Sequence, residues 1–580
     1  MQKLTRPTRV VFINILIYKG VEDNMNIILF GVGPHAKRIY LKYIQNSDFI
    51  NKVLIVDLKG REEVIEDILS QFDIDYELLL FDPIIRDDEI LSMENSEAIL
   101  RKVSEYDIEY AIIATEPKSH LMYIDFCLDS GLSIMCDKPI TASLGANTEF
   151  GAQKLLDDYY KILKKYHQSS SKRFDVMAQR RGHEGFHKAF EIINEVVTKY
   201  RVPITKMRVL HGDGNWPMPN EIIMRDNHPY KYGYGKLLHS GYHFVDLISI
   251  FLKSNKNAGL NFHTRDLKVS DYLTSDFLTY FNDDLFTQLG SEFKDKERQE
   301  IYNAMDTLDK FGELDVSAII DYKDKDNRII TQAILDLSQS SYSRRSWFNE
   351  PTDTYKGNGR IRHEYVEIGV GPLLNVKIMS FQSKEISEER EMVNSIGCLD
   401  HFEIDIFRND KLIGGKPFER ILTETRNKED HYIGQNEQAR FDILDRFFND
   451  DESDATIEEQ EETIILLSEL YKSIGKRYSC KNTLYDVEIQ IVNNNKKLKL
   501  ENNSQILSLS TQVLNTESIE QVIKRVAKSE LNIRVKNPKK KDFKIENGKL
   551  TYIYEAEIEN GEKVHILNNK YNHFSWIDRF

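Results

Sequence analysis

Cysteine is scarce: Cys127, Cys136, Cys398 and Cys480 are the only 4 in 580 residues, and their spacing fits neither a metal site nor a disulfide framework. Reduced thiols and a cytoplasmic location are expected. An excess of positive charge is also missing, since 78 Lys and Arg stand against 93 Asp and Glu for a net charge of -15. That balance disfavours a general polyanion binder and leaves phosphate recognition to local sites. No cluster of basic and aromatic residues offers a strand-binding groove, so no nucleic-acid partner is expected. A bilayer-spanning apolar run is absent too: Val10 to Tyr18 follows Arg6 and Arg9 but is too short to cross, and no small-residue cleavage site comes after it. No membrane partner is expected. Residues 1–24 read as a leader, with synthesis starting at Met25, because Lys19-Gly20-Val21 can be encoded by a purine-rich ribosome-binding sequence.

What the chain does contain begins at Gly31-Val-Gly-Pro-His-Ala36, directly after the apolar run Ile27 to Phe30, and a second apolar run then ends on Asp57. Strand, glycine turn, helix, strand and acid make the first half of a dinucleotide-binding unit. Gly31 permits the tight turn, and Gly33 leaves no side chain between the backbone and a pyrophosphate on the helix N-terminus. Ala36 replaces the third glycine but still allows close helix packing. Asp57 is placed to accept hydrogen bonds from a ribose diol, which favours NAD; Lys59 and Arg61 leave NADP open.

The same alternation continues. Glu109 to Thr115 reads as a buried strand opening into Glu116-Pro117-Lys-Ser-His120 and a helix through Leu128, and Leu132 to Cys136 as the next strand, ending at Asp137-Lys138-Pro139. The fold class is α/β with a doubly wound parallel sheet, in which Gly31, Asp57, Thr115 and Lys138 all fall at the carboxyl ends of strands, where ligands gather. We expect this dinucleotide-binding domain over residues 25–160, an α+β open mixed-sheet substrate domain over 161–480 with a polar helical insertion near 255–315, and a small α/β domain over 481–580. Val176 to Arg181 is read as a strand of the second domain.

These segments, with Gly233-Tyr-Gly-Lys-Leu-Leu-His239-Ser-Gly-Tyr-His243-Phe-Val-Asp246, resemble in order the motifs of the Gfo/Idh/MocA oxidoreductases, the glucose-fructose oxidoreductase and inositol dehydrogenase family. The resemblance spans residues 25 to 480. It implies a Rossmann domain binding NAD(P) through Gly31, Gly33, Ala36, Asp57, Thr115, Pro117, His120 and Lys138. It also implies hydride transfer between that cofactor and a sugar-like or cyclitol hydroxyl or ketone, in a homo-oligomer.

Oxidising a secondary alcohol needs a base for the hydroxyl proton and a charge for the developing alkoxide. In the family the lysine matching Lys138 supplies the charge, and a cis bond to Pro139 is open. His243 is the natural acid or base. His239 lies four residues before it at helical spacing, which puts both on one face; a metal pair is the weaker reading, as no third ligand is close. The family usually carries aspartate at His239, so this departure bears on substrate identity. Arg180 is the candidate for an anionic or hydroxyl-rich substrate, with Gln179 and Arg181 beside it and Asp246 one helical turn beyond His243. Alternatives are a cofactor-binding sensor or scaffold without turnover, and an epimerase or lyase that uses NAD transiently.

The last hundred residues resemble a Nudix domain in outline: a helix from Glu517 to Ile533, strands at Ser504 to Val513, Leu550 to Ile558 and Lys563 to Leu567, and the Phe574-Ser-Trp576 stretch. Ser510 and Thr511 stand where that family's box has glycines, and Val526 and Ser529 replace two of its three metal-binding glutamates. Glu530 alone is too little carboxylate for diphosphate hydrolysis, so a non-hydrolytic domain is expected.

Overall fold

The computed structural model describes residues 24–83, 90–225, 227–278, 284–285, 288, 308, 310–345, 359–382, 401–422, 435–479, 486–494, 496–502, 505–512, 519–546, 549–567 and 571–578. The leader therefore lies outside the described residues, as does much of the expected insertion.

Six short apolar strands form the first sheet: β1 Met25–Phe30, β2 Ile50–Leu58, β3 Tyr76–Phe81, β4 Tyr110–Ile113, β5 Ser133–Cys136 and β6 Phe174–Val176. They are all parallel in the order β3-β2-β1-β4-β5-β6. Ile27 to Phe30 are fully buried because helices cover both faces, which explains continuous apolar runs instead of alternation. The sixth strand corrects the sequence reading. Val176 belongs to the first sheet, so that domain passes residue 160, and Gln179–Arg181 is one turn of 3-10 helix and not a strand.

The second sheet has eight strands in the order β14-β13-β12-β11-β7-β10-β9-β8. They are β7 Lys206–Gly212, β8 Thr264–Leu273, β9 Glu313–Lys323, β10 Ile329–Ser338, β11 Arg362–Val370, β12 Leu374–Gln382, β13 Glu403–Arg408 and β14 Phe418–Leu422. Only β7 and β10 pair in parallel; the other neighbours are antiparallel. Alternating burial along β9, β11 and β12 gives the sheet one covered face, on which the helices Glu184–Tyr200 and Tyr242–Asn257 pack. Thr264–Leu273 falls inside the expected helical insertion but is the edge strand of this sheet.

Two later helices return to the first domain. Gln435–Phe448 places Ile443, Leu444, Phe447 and Phe448 in the same apolar cluster as Ile27, Ala36 and Tyr43. Glu461–Ser479 lies along Glu149–Gln168, so closely that a Cβ on Gly475 would meet the Glu149 amide nitrogen at 2.6 Å. Between them, Val176 donates its amide to the Ala455 carbonyl at 2.7 Å.

A separate apolar cluster holds the C-terminal sheet of β15 Asp486–Asn493, β16 Lys496–Asn502, β17 Gln505–Leu507, β18 Leu509–Gln512, β19 Val535–Glu546, β20 Lys549–Ile558 and β21 His573–Asp578. The helix Ile519–Leu531 packs on it through Val522, Ile523 and Val526. The single strand read at Ser504 to Val513 is two strands, Lys563 to Leu567 is not a strand, and β19 tolerates Pro538 because its pairing with β20 shifts register between Lys536 and Lys539.

Candidate functional site

At the end of β1, Gly31 has φ +89, and a Cβ there would stand 3.0 Å from Thr115 Cγ2 at the end of β4. Only glycine takes that backbone without strain. Gly33 differs, because a Cβ there would meet nothing within 4 Å. This open space above the Pro34–Arg38 helix is the room that a pyrophosphate needs, and Ala36 sits fully buried beneath it. Asp57 ends β2 with its carboxylate accepting from the Val32 and Leu58 amides, each at 2.7 Å, and ion-paired with Arg61 Nη1 at 2.7 Å. Arg61 Nη2 also donates to the Val32 carbonyl at 3.1 Å, so acid and arginine are tied to the glycine turn together. These residues fit a dinucleotide.

Pro117 opens a one-turn helix after β4, and His120 follows it fully buried. Both His120 ring nitrogens face backbone carbonyls, Pro139 at 2.9 Å and Thr115 at 3.0 Å, and burial lowers its pKa to about 4. Its neutral ring donates one hydrogen bond between the ends of β4 and β5, with Nε2 beside the Thr115 carbonyl and Nδ1 beside both the Pro139 carbonyl and Cys136 Sγ.

Asp137-Lys138-Pro139 follows β5, and the Lys138–Pro139 bond is cis. Half-buried Lys138 crosses to the second domain and donates from Nζ to the His239 carbonyl at 2.7 Å. Burial lowers the Lys138 pKa to about 8, with Arg440 and Lys236 adding to the shift and Asp137 and Asp213 opposing it. Asp137 is raised to about 6 by burial.

His239 and His243 do not share a helix. His239 lies in the turn closed by its amide on the Gly235 carbonyl at 2.9 Å, and the helix begins at Tyr242. The turn requires glycine at 241, whose amide donates to the Lys236 carbonyl at 2.9 Å and where a Cβ would meet that oxygen at 2.4 Å. The His239 ring is enclosed edge-on by His228, Tyr230 and Tyr234, with centroids 5.0, 5.1 and 5.9 Å away. His243 is buried, neither ring nitrogen has a hydrogen-bond partner among the described residues, and burial beside Lys138, Arg440, Arg180 and Arg362 holds its pKa well below the usual range. Among the described residues no three His, Cys, Asp or Glu side chains group as metal ligands.

Two residues expected at the substrate are engaged with other side chains. Asp246 is fully buried and pairs with Arg181 through Nε and Nη2 at 2.7 to 3.1 Å while accepting from Thr463 Oγ1 at 2.8 Å, so both oxygens are committed inside the protein. Arg180 lies between the Phe186 and Phe244 rings, at 5.2 and 5.3 Å, and bonds Asn436 Oδ1 at 2.8 Å and Glu364. Gln179 donates to the same Asn436 oxygen at 3.0 Å.

Sequence reasoning did not find Asn436, Arg440, Asp213 or Lys236. Asp213 binds Arg360, Lys236 Nζ at 3.2 Å and Ser240 Oγ at 2.8 Å; Arg440 donates to the Asn436 carbonyl at 2.8 Å. No motif marks Asp213, Asn436 or Arg440, which come from a strand end and from the face of an ordinary amphipathic helix, while Lys236 stands inside the Gly233 to Asp246 segment with no role that its spacing reveals.

Residues 25–153 match the family model described as the oxidoreductase family, NAD-binding Rossmann fold, of the Gfo/Idh/MocA type. This segment is similar to the NAD-binding domains of that family. No curated protein matches the chain in sequence. Similar solved structures include an aldose-aldose oxidoreductase from Caulobacter crescentus complexed with glycerol (10% identity, TM-score 0.46, 78% of this chain and 98% of that one). Others are a 3-ketoreductase from Actinomadura kijaniata with NADP and TDP-benzene (10%, 0.45, 78% and 98%) and a levoglucosan dehydrogenase with NADH and levoglucosan (11%, 0.46, 78% and 98%). No helix among the described residues is long and apolar enough to cross a membrane.

Proposed function

We propose that the chain transfers hydride between NAD and a hydroxyl or ketone of a sugar-like or cyclitol substrate. The observation that carries this reading is Lys138, which leaves the NAD-binding sheet at β5 and meets the His239–His243 segment of the second domain. NAD, when bound, accepts or returns the hydride. The Lys138 ammonium polarises the reacting oxygen, and His243, kept neutral by burial and surrounding cations, takes the hydroxyl proton on oxidation or relays it on reduction. Asp57 receives the ribose hydroxyls, and the open side of Gly33 receives the pyrophosphate. The test is NADH binding by fluorescence with turnover across a polyol and ketose panel; bound cofactor that no member oxidises or reduces favours a sensor. The aromatic enclosure of His239 supports that second reading, because it replaces the family's usual aspartate with a ring held among rings.

We infer for residues 481–580 a Nudix-like unit that binds and does not hydrolyse. The apolar side of Ile519–Leu531 is kept against its sheet, while Val526, at a position where that family has a metal-binding glutamate, lies buried in the core.

A further inference from the structure

Among the described residues, Lys138, Arg440, Arg180 and Arg362 lie around His243. Arg180 and Arg362 share Glu364, and Lys236 and Arg360 share Asp213. Lys138 and buried Arg440 have no carboxylate within 4 Å among the described residues, Lys138 bonding only the His239 carbonyl and Arg440 only the Asn436 carbonyl. Asp137 and Glu437 act on them from farther away. The groups converge, since Asn436 binds both Arg180 and Arg440, Arg180 lies over the ring of Phe244, and Phe244 adjoins His243. Removing such charges from water without a counter-ion is costly, and the cost is recovered when an oxyanion enters.

Building on the oxidoreductase reading, we propose that Arg440, beside the Lys138 and His243 pair that takes the reacting oxygen, is the counter-ion for the oxyanion of an acidic sugar-like substrate, a carboxylate or a phosphate. The cofactor's own phosphates belong at the open face of Gly33, and the helix of Arg440 packs beside that glycine turn, with Glu437 pairing Arg38 at 3.5 Å, so the test has to tell cofactor from substrate. Arg440 offers Nε and Nη2, which bond no described group, and its fixed fork suits a carboxylate or phosphate edge.

The experiment is a titration of the full-length, NADH-saturated protein with glucose, glucuronate and glucose 6-phosphate, read from the His243 ring resonance in carbon-13 histidine spectra, assigned with His243→Asn. At least one of the two anions should shift that resonance saturably at about tenfold lower concentration than glucose. Arg440→Gln should weaken that anion about tenfold, and Arg440→Lys less than about threefold. Glucose acting at the same concentration as both anions, or no shift by either anion, overturns the proposal. A loss of NADH affinity in Arg440→Gln equal to the loss of anion affinity also overturns it, by assigning Arg440 to the cofactor. Because the wild-type titration reads binding alone, an idle protein would pass it and fail only in NADH turnover, which separates this proposal from the oxidoreductase reading.

Discussion

Lys138 releases its proton more readily than a lysine in water because it is drawn between two domains. Burial places its folded pKa near 8, below the ordinary 10.5, so the ammonium costs stability below about pH 8 and the cost disappears as pH rises towards 10.5. Lys138→Met should therefore melt higher than the wild type at pH 7, with the gain shrinking between pH 8 and 10.5 in calorimetric scans. For catalysis the expectation is opposite in sign: Lys138→Ala and His243→Ala should each lose about a hundredfold or more in turnover while NADH titrations change little. Cofactor choice tests the proposed role of Asp57: if its carboxylate takes the ribose hydroxyls, NAD should bind more tightly than NADP, and Arg61→Ala should widen the difference by removing the cation paired with it. Tighter binding of NADP by the wild type would reverse the assignment. Asp246 is a test of a different kind, because Asp246→Ala leaves buried Arg181 with only Glu459, at 3.8 Å, as a carboxylate partner and should cost up to about 3–5 kcal/mol in denaturant unfolding.

At the level of elements, the glycine turn separates folding from binding. Gly31→Ala puts a Cβ into Thr115 at a left-handed backbone and should destabilise by about 1–3 kcal/mol. Gly33→Val meets no protein atom, so its melting temperature should hold while NADH affinity falls; unchanged NADH affinity would remove Gly33 from the cofactor site. The turn was legible in the sequence because a chemical need, backbone close to phosphate, is met by glycine at fixed offsets from a strand. Strands β1, β2, β4 and β5 of the first sheet were legible for the related reason that continuous apolar runs reflect burial on two faces. Phe174–Val176 was misassigned because three residues carry no period, and its place depends on pairing with β5. The Thr264–Leu273 strand was hidden by its edge position, where polar residues face water. His239 and His243 were put on one helical face by their spacing, and the turn that separates them, closed by the Gly241 amide on the Lys236 carbonyl, is not encoded in spacing. Asn436 and Arg440 lie more than 250 residues from Arg180, and only tertiary packing brings them together.

For the molecule as a whole, the C-terminal unit has its own apolar cluster, including Val487, Val526, Ile533 and Ala556. The isolated fragment 481–580 should unfold cooperatively and release no phosphate or nucleoside monophosphate from nucleoside-diphosphate sugars with magnesium or manganese. Hydrolysis abolished by Glu530→Gln would make the chain a two-activity enzyme. The first domain lacks this independence. Its apolar face is completed by Phe447 and Phe448, and its sixth strand is bordered by Ala455, all arriving long after Val176 in the chain. At roughly 5–20 residues per second, the ribosome leaves that face uncovered for on the order of tens of seconds, a long exposure for an aggregation-prone surface. Nascent chains arrested before residue 435 should therefore be held by chaperones that chains arrested beyond residue 480 escape, which makes the order of synthesis, as well as the sequence, part of how this protein reaches its fold.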